Sequence, residues 1–539
     1  MKGLMMDFQL TIPTILRRAE TLFSKKEIIS RLPDKSIHRY TYGEMATRSK
    51  KCSAALEKLG VKEGDRVATL CWNHYQHLEV YFAVPSIGAV LHTLNLRLSP
   101  DDLSFIVNHA SDKVILIDQV LLPLFDKFKE RINVNHMVVI PNGSQPLPAG
   151  YLNYEDLLEG ADATGFIPFE GDENTAAAMC YTSGTTGRPK GVLYSHRSII
   201  LHSMLSAFTD ALAIAEADVV LPVVPMFHVN AWGLPFTCTM VGCTQVFPGP
   251  HLDPPSLLEL FEKEKVTVTG GVPTIWLGIL NILDANPGKY NLTSMRCMLV
   301  GGSAAPKSMI IGFQERHNLR ILHAWGMTET SPLGSVCGLT TEVKKASSDV
   351  QYSYRSKQGL AAPFVEMRVT NEGGTAPWDG VTMGELEVRG PWIAKAYYNA
   401  DDEDGKFTSD GWLKTGDIVS IEPNGYIEIK DRSKDVIKSG GEWISSVQLE
   451  SALMGHPAVA EAAVFAIPSE KWMERPMACV VLKEGKTISK EELQKFLEPN
   501  FAKFWLPDAY EFVKEIPKTS VGKFRKSALR EQFKTYSKS

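Results

Sequence analysis

A loop rich in glycine, hydroxyl and basic residues, YTSGTTGRPKG, occupies positions 181–191 of the chain. Apolar residues lead into the loop over 176–180 and lead out of it over 191–194. Two short apolar runs on either side of a glycine-rich turn predict a strand, a loop and a second strand. The loop is therefore expected to be carried by a sheet.

The residue types of this loop are typical of a phosphate-binding site. Glycine lets the backbone approach an anion and direct several amide groups at it, and hydroxyl and basic side chains supply further donors. A Walker-type P-loop is excluded, because the lysine follows a proline and no hydroxyl residue follows the lysine. A solvated hairpin turn is the alternative. The candidate phosphate ligands are Thr182, Ser183, Gly184, Thr185, Thr186, Gly187 and Lys190.

Helical and extended patterns alternate along the first part of the chain. Residues 41–44 form a capping box before a helical apolar face, and residues 65–71 have the pattern of a strand. Residues 99–100 begin the next helix, and 114–117 the next strand. This alternation predicts an α/β fold, with a large, multi-lobed N-terminal α/β domain built on a largely parallel sheet. From residue 436 onward, mixed helices and strands predict a small α+β domain.

Composition narrows the class of protein. A chain of 539 residues is expected to form three or four structural lobes. Its net charge of −5 gives no indication of a nucleic-acid partner. The longest uncharged segment, 219–252, is interrupted by prolines and polar residues, which predicts no transmembrane segment.

The eight cysteines are scattered and include no C-x-x-C pair. This pattern predicts buried, reduced thiols and a reducing compartment, so we expect a cytoplasmic protein. The expected partners are small molecules. The sequence leaves the oligomeric state open, with a homodimer among the alternatives.

Further segments combine small or glycine residues with polar side chains. Small residues at 300–306 leave space beside the backbone for a flat base or a carboxylate. Asp417 follows a glycine turn and can accept hydrogen bonds from vicinal ribose hydroxyls. His228 lies among apolar residues, and Lys523 follows Gly522 near the end of the chain. Taken singly, these residues are more typical of an ordinary turn, a core histidine and a surface lysine.

Taken together and in this order, the motifs resemble the adenylate-forming superfamily. That superfamily includes acyl-CoA synthetases, insect-luciferase-like enzymes and the adenylation domains of peptide synthetases. The resemblance extends over essentially the whole chain. It rests on the loop at 181–191 and on the segments 300–306, 324–330, 411–417, 431–445 and 517–523.

The resemblance implies an adenine nucleotide site. In it Trp325 flanks the base, Thr328 meets the α-phosphate, and Glu329 holds Mg²⁺ together with Thr185. Asp417 binds the ribose, and Lys523 is the catalytic lysine beside Thr328 and Glu329. The implied nucleotide ligands, besides those of the loop, are Gly302, Ser303, Ala304, Trp325, Gly326, Met327, Thr328, Asp417, Arg432 and Lys523.

The resemblance also implies an acyl channel, a CoA site and a moving domain. The N-terminal domain covers 1–430, the hinge 431–435, with Asp431 as the pivot, and the mobile C-terminal domain 436–539. The acyl channel is assigned to His228, Val229, Asn230, Trp232 and Gly302, with Trp232 as a gate. The CoA site is assigned to Lys438, Gly440, Gly441 and Trp443.

The implied activity is an ATP-dependent acyl-CoA ligase. A carboxylic acid is converted to an acyl-adenylate and then to a CoA thioester, with release of pyrophosphate and AMP. ATP, Mg²⁺ and coenzyme A are the expected cofactors. Trp232 and the apolar residues around it favour a medium- or long-chain fatty acid. An aromatic acid, a luciferase-like activity and a nucleotide- or acyl-binding protein without catalysis are the alternatives.

Overall fold

The computed structural model describes residues 1, 3–143, 145–182, 188–400, 405–439, 442–469, 471–518 and 524–534. The helices in these ranges are numbered along the chain. They are α1 (Ile12–Leu22), α2 (Tyr42–Lys58), α3 (Tyr75–Ala83), α4 (Pro100–Ala110), α5 (Leu122–Phe125), α6 (Tyr154–Glu159), α7 (His196–Ala207), α8 (Val229–Trp232), α9 (Leu234–Val241), α10 (Pro254–Lys263), α11 (Pro273–Ala285), α12 (Lys307–His317), α13 (Ser348–Arg355), α14 (Ser446–Met454), α15 (Lys490–Leu497) and α16 (Lys526–Gln532).

The strands are numbered in the same way. They are β1 (Glu27–Arg31), β2 (Ile37–Thr41), β3 (Arg66–Leu70), β4 (Val90–Thr93), β5 (Asp112–Asp118), β6 (His136–Ile140), β7 (Leu152–Asn153), β8 (Ala176–Tyr181), β9 (Gly191–Ser195), β10 (Val219–Pro222), β11 (Thr244–Phe247), β12 (Val268–Gly271), β13 (Cys297–Val300), β14 (Ile321–Gly326), β15 (Leu333–Val336), β16 (Leu360–Ala361), β17 (Glu366–Asn371), β18 (Gly374–Thr375), β19 (Gly384–Arg389), β20 (Leu413–Ile421), β21 (Ile427–Arg432), β22 (Ile437–Ser439), β23 (Glu442–Ile444), β24 (Val459–Ser469), β25 (Met473–Leu482) and β26 (Ala509–Phe512).

We call the part of the chain up to Arg432 the body. Two mixed sheets form most of it. The seven-stranded sheet has the order β7-β6-β5-β3-β4-β8-β9 and is parallel except for the β8–β9 pair. The nine-stranded sheet has the order β16-β15-β14-β13-β12-β10-β11-β1-β2, with antiparallel pairs only at its two ends. The predicted α/β class and the largely parallel pairing are confirmed.

Two smaller sheets follow in the chain. Strands β17 to β21 form an antiparallel sheet in the order β18-β17-β19-β20-β21. After Arg432, strands β22 to β26 form a sheet of their own, and helices α14 and α15 pack on it around Ile437, Leu449 and Leu493. We call residues 436–534 of this part the C-terminal lobe.

Several local predictions are confirmed. Thr41 caps α2 in a capping box with Glu44, and Ser99 caps α4. The glycine-rich loop connects β8 to β9, which pair antiparallel. All eight cysteines are buried with free thiols. In the described part of the chain, every helix falls short of the length and apolar character needed to cross a bilayer.

Candidate active site

A cavity of about 410 Å³ lies between the body and the C-terminal lobe. The body contributes residues that lie within or directly after β8, β13, β14, β20 and β21, and the lobe contributes residues of α14 and α16. Most of the predicted site residues that the structure describes line this cavity. They are Thr182, His228, Val229, Trp232, Gly302, Ser303, Ala304, Trp325, Gly326, Met327, Thr328, Glu329, Asp417, Asp431 and Arg432.

The base of the glycine-rich loop is closed by two hydrogen bonds between Thr182 and Lys190. The amide of Thr182 donates to the Lys190 carbonyl at 2.9 Å, and the amide of Lys190 donates to Thr182 Oγ1 at 3.1 Å. This closure fixes where the loop leaves and rejoins the sheet. The predicted ligands Ser183, Gly184, Thr185, Thr186 and Gly187 lie outside the described residues, so their assignment stays a prediction.

The Glu329 carboxylate is buried at the cavity wall, where the hydroxyl of Tyr397 donates to its Oε1 at 2.5 Å. The Nζ atom of Lys190 lies 5.1 Å from the centre of the Tyr397 ring. A buried carboxylate is a hard oxygen ligand of the kind that Mg²⁺ prefers. Glu329 therefore fits the predicted metal role. The sequence patterns gave no indication of Tyr397.

Thr328 is tied to the strand that follows the glycine-rich loop. The hydroxyl of Tyr194, in β9, donates to the Thr328 carbonyl at 2.7 Å, and Tyr194 is fully buried. Burial raises the pKa of Tyr194 well above its usual value, so it remains a neutral donor. This bond connects the exit of the loop with the segment 328–330.

Asp417 has a partner at each carboxylate oxygen. The indole Nε1 of Trp325 donates a hydrogen bond to Oδ2 at 2.9 Å, and the Nε of Arg432 lies 2.9 Å from Oδ1 in an ion pair. The carboxylate is nearly fully buried and lines the cavity. The three residues come from β14, β20 and β21 and are brought together only by the fold.

The predicted acyl-channel segment forms a left-handed turn. The φ angles of Val229, Asn230, Ala231 and Trp232 are 46°, 52°, 50° and 58°. Left-handed backbone costs about 1–2 kcal/mol for each residue that has a side chain, and such strain is found where surrounding contacts hold it in place. Asn230 supplies such contacts: its amide donates to the Tyr81 hydroxyl at 3.3 Å. It supports the turn from the protein interior, while His228, Val229 and Trp232 line the cavity.

Trp232 packs in this wall beside two glycines. A Cβ atom at Gly301 would lie 3.2 Å from Cη2 of Trp232, which is a tight contact, and one at Gly270 would lie 3.5 Å from its Cζ3, which is an ordinary contact. A side chain at Gly301 would therefore press on the indole. The rest of the apolar wall comes from residues that the sequence analysis did not identify, namely Leu212, Pro273, Leu277 and Leu299. They lie on a loop, helix α11 and strand β13, and share no motif.

The lobe closes the other side of the cavity with Phe524, Lys526, Glu450 and Met454. Lys526 is buried and pairs with Glu450 at 2.8 Å and with the Ser446 hydroxyl at 2.5 Å. Burial raises the pKa of Glu450 to about 7, although Lys526 works against that rise. The predicted catalytic Lys523 precedes Phe524 in the chain and lies outside the described residues.

We expect Lys526→Ala to destabilise the lobe by about 3–5 kcal/mol, because it leaves the buried Glu450 carboxylate without its charged partner. The measurement is the unfolding of the protein by urea, with hydrogen–deuterium exchange of peptides from α14 as the readout. Lys534→Ala is the matched control, since the Lys534 side chain is 71% exposed in its pair with Glu531, and it should change stability by less than about 1 kcal/mol. Equal protection of α14 in the two variants would contradict this prediction.

The predicted hinge residue Asp431 belongs to strand β21, where it pairs with Ile418 of β20. Its carboxylate accepts hydrogen bonds from the amide and hydroxyl of Ser446. The three residues that follow Arg432 form a turn, in which the Ser433 amide donates to the Gly416 carbonyl at 2.9 Å. The end of β21 thus separates the paired strand from the turn that leads into the lobe.

The predicted CoA residues lie on the β22–β23 hairpin of the lobe. Lys438 pairs with Trp443 across this hairpin, and the Lys438 side chain is exposed. The Lys438 amide donates to Glu474 at 2.7 Å. Gly440 and Gly441 lie outside the described residues. The hairpin residues that are described are not among those lining the cavity.

Comparison with known proteins agrees with this geometry. The family model described as AMP-binding enzyme matches residues 17–398, and the model described as AMP-binding enzyme C-terminal domain matches 448–523. The chain is 50% identical over 536 residues to a long-chain-fatty-acid–CoA ligase of Thermus thermophilus, covering 99% of this chain and 97% of the relative. It is 42% identical over 539 residues to a medium-chain-fatty-acid–CoA ligase of Ectopseudomonas oleovorans, covering 99% and 98%.

A solved structure of an anthranilate CoA ligase in complex with anthranoyl-AMP is similar over 99% of both chains, with a TM-score of 0.87 and 25% identity. The fold, the two family matches and full-length identities well above 30% agree. The chain therefore belongs to the AMP-binding enzyme family, whose members form adenylates.

Proposed function

We propose that this enzyme is a fatty-acid–CoA ligase acting on a medium- or long-chain acid. The observation that carries the proposal is a single cavity whose polar wall holds Thr328, Glu329 and Asp417 and whose apolar wall holds Leu277 and Trp232. A carboxylate placed between these walls has its tail in an apolar channel and its reactive oxygen near the nucleotide. The ligases named above at 50% and 42% identity support the same class of acid.

In the first reaction the fatty-acid carboxylate attacks the α-phosphorus of ATP and pyrophosphate leaves. Such a transfer needs positioning and charge stabilisation more than covalent help from the protein. We assign charge stabilisation to Lys523, to the donors of the glycine-rich loop and to Thr328. Asp417 and Arg432 hold the ribose. Glu329 and Thr185 would hold Mg²⁺, which neutralises phosphate charge when bound.

In the second reaction the CoA thiol attacks the acyl carbonyl of the adenylate and AMP leaves. The hairpin with Lys438 and Trp443 belongs to the mobile lobe, and we assign it to the CoA site after a rotation of that lobe. Within the hinge 431–435 we place the rotation after Arg432. Rotation at Asp431 would instead disrupt its pairing with Ile418.

The test is pyrophosphate release from MgATP with a panel of acids, each with and without CoA. The panel runs from acetate through octanoate to oleate and includes benzoate and cinnamate. We expect turnover that requires CoA and is greatest for one range of aliphatic chain length. Turnover confined to the aromatic acids would replace the fatty-acid assignment, and turnover independent of CoA would point to another acceptor.

A further inference from the structure

Trp325 is confined by the residues packed around it. It lies in β14 and is only 7% exposed. A Cβ atom at Gly334 in β15 would lie 2.3 Å from Cζ3 of Trp325, so the glycine is what leaves room for the ring. The indole therefore has a fixed position, and little of its face is free to stack on a base.

The indole N–H of Trp325 points at Asp417, the residue to which we assign binding of the ribose. Trp325 Nε1 donates to Asp417 Oδ2 at 2.9 Å, while Arg432 holds the other oxygen at the same distance. Each oxygen of a carboxylate has two lone-pair sites, so each retains capacity for one more donor. The indole donor and the ion pair with Arg432 orient the carboxylate and leave those remaining sites for hydroxyl groups of the ribose.

We propose that Trp325 is a positioning residue for ribose recognition. Its N–H holds the Asp417 carboxylate in the orientation that accepts hydrogen bonds from the 2′- and 3′-hydroxyls. The proposal rests on the adenine nucleotide site of the proposed function and not on the identity of the acid. An aromatic ring without this N–H fills the same space but leaves Oδ2 without its indole donor.

The test is calorimetric binding of AMP, 2′-deoxy-AMP and 3′-deoxy-AMP to the full-length protein and to Trp325→Phe. Trp392→Phe is the matched control. Trp392 is also buried, and its Nε1 also donates a 2.9 Å hydrogen bond, but to the backbone carbonyl of Leu333. Both variants lose one indole hydrogen bond in the same apolar core, and only Trp325→Phe changes the partner of Asp417.

We expect the unmodified protein to bind AMP at least about tenfold more tightly than one of the deoxy forms, because a hydrogen bond to a charged group is strong. Trp325→Phe should reduce this preference about five- to tenfold. Trp392→Phe should leave it within about twofold. The proposal is overturned if the unmodified protein shows no preference for AMP over the deoxy forms. It is also overturned if Trp325→Phe leaves that preference unchanged, or if both variants reduce it equally.

Two further measurements separate this role from general destabilisation. In an Asp417→Asn background, Trp325→Phe should cause little additional loss of preference, because the pair acts as a unit. If Trp325→Phe does not fold, benzothienylalanine at position 325 keeps the shape and removes only the N–H.

Pyrophosphate release is measured in parallel. Ribose selectivity without turnover would count against the ligase function alone, and turnover without a Trp325 effect would count against this proposal alone.

Discussion

Lys523→Ala should lower the rate of acyl-adenylate formation about 10²–10³-fold, because one charged donor to the transferring phosphoryl group is removed. It should leave thioester formation from supplied octanoyl-adenylate and CoA within about threefold of the unmodified rate. The reason is that the second reaction, as proposed, takes place after the lobe has rotated and has removed Lys523 from the phosphate. The two rates are measured separately, by pyrophosphate release and by chromatography of octanoyl-CoA.

The control for this experiment is Lys534→Ala, which removes an exposed lysine from the same lobe. Both of its rates should match those of the unmodified protein. Equal losses in the two half-reactions of Lys523→Ala would show that the lysine acts in both reactions or that it stabilises the lobe. Either result would remove the specific role that we assign to it.

Lys434→Pro should affect the two reactions in the way opposite to Lys523→Ala. Adenylate formation should stay within about threefold, while the thioester step should fall about 10²-fold or more, because proline fixes φ near −65° and prevents rotation at this residue. The amides of Ser433, Asp435 and Val436 each donate a hydrogen bond in this turn. Proline at 434 removes none of these three donors, and the rate of adenylate formation in the variant reports whether the orientation in the structure persists.

Lys434→Ala separates the backbone effect from loss of the side chain, which also lines the cavity. It should change the thioester step far less than the proline variant does. A proline variant that makes octanoyl-CoA at the normal rate would place the rotation elsewhere. Equal losses in the proline and alanine variants would assign the effect to the lysine side chain.

Local features of the fold could be predicted where the sequence pattern and the local backbone agree. The caps of α2 and α4 and the β8–β9 pair were found in this way. The ends of elements are harder to predict. Strand β21, for example, runs through polar residues to Arg432. That strand is lengthened by pairing with β20, which polar residues do not indicate.

In the candidate site, too, some residues could be predicted from the sequence and others could not. Motifs located the polar wall because each of its segments is short and continuous in the chain. The apolar wall was missed, since Leu212, Leu277 and Leu299 lie far apart in sequence and look like ordinary core residues. The left-handed turn at α8 was missed as well, because it is stabilised by the contact of Asn230 with Tyr81 and not by a glycine-rich sequence.

The cavity wall is shared between the body and the lobe, with Thr328 and Asp417 on one side and Glu450 and Phe524 on the other. A ligand that fills the cavity therefore contacts two parts of the protein at once. By thermodynamic linkage, any factor by which AMP favours this arrangement is also the factor by which the arrangement tightens AMP binding. Occupancy of the cavity and this placement of the lobe are then coupled, and the coupling free energy is the same in both directions.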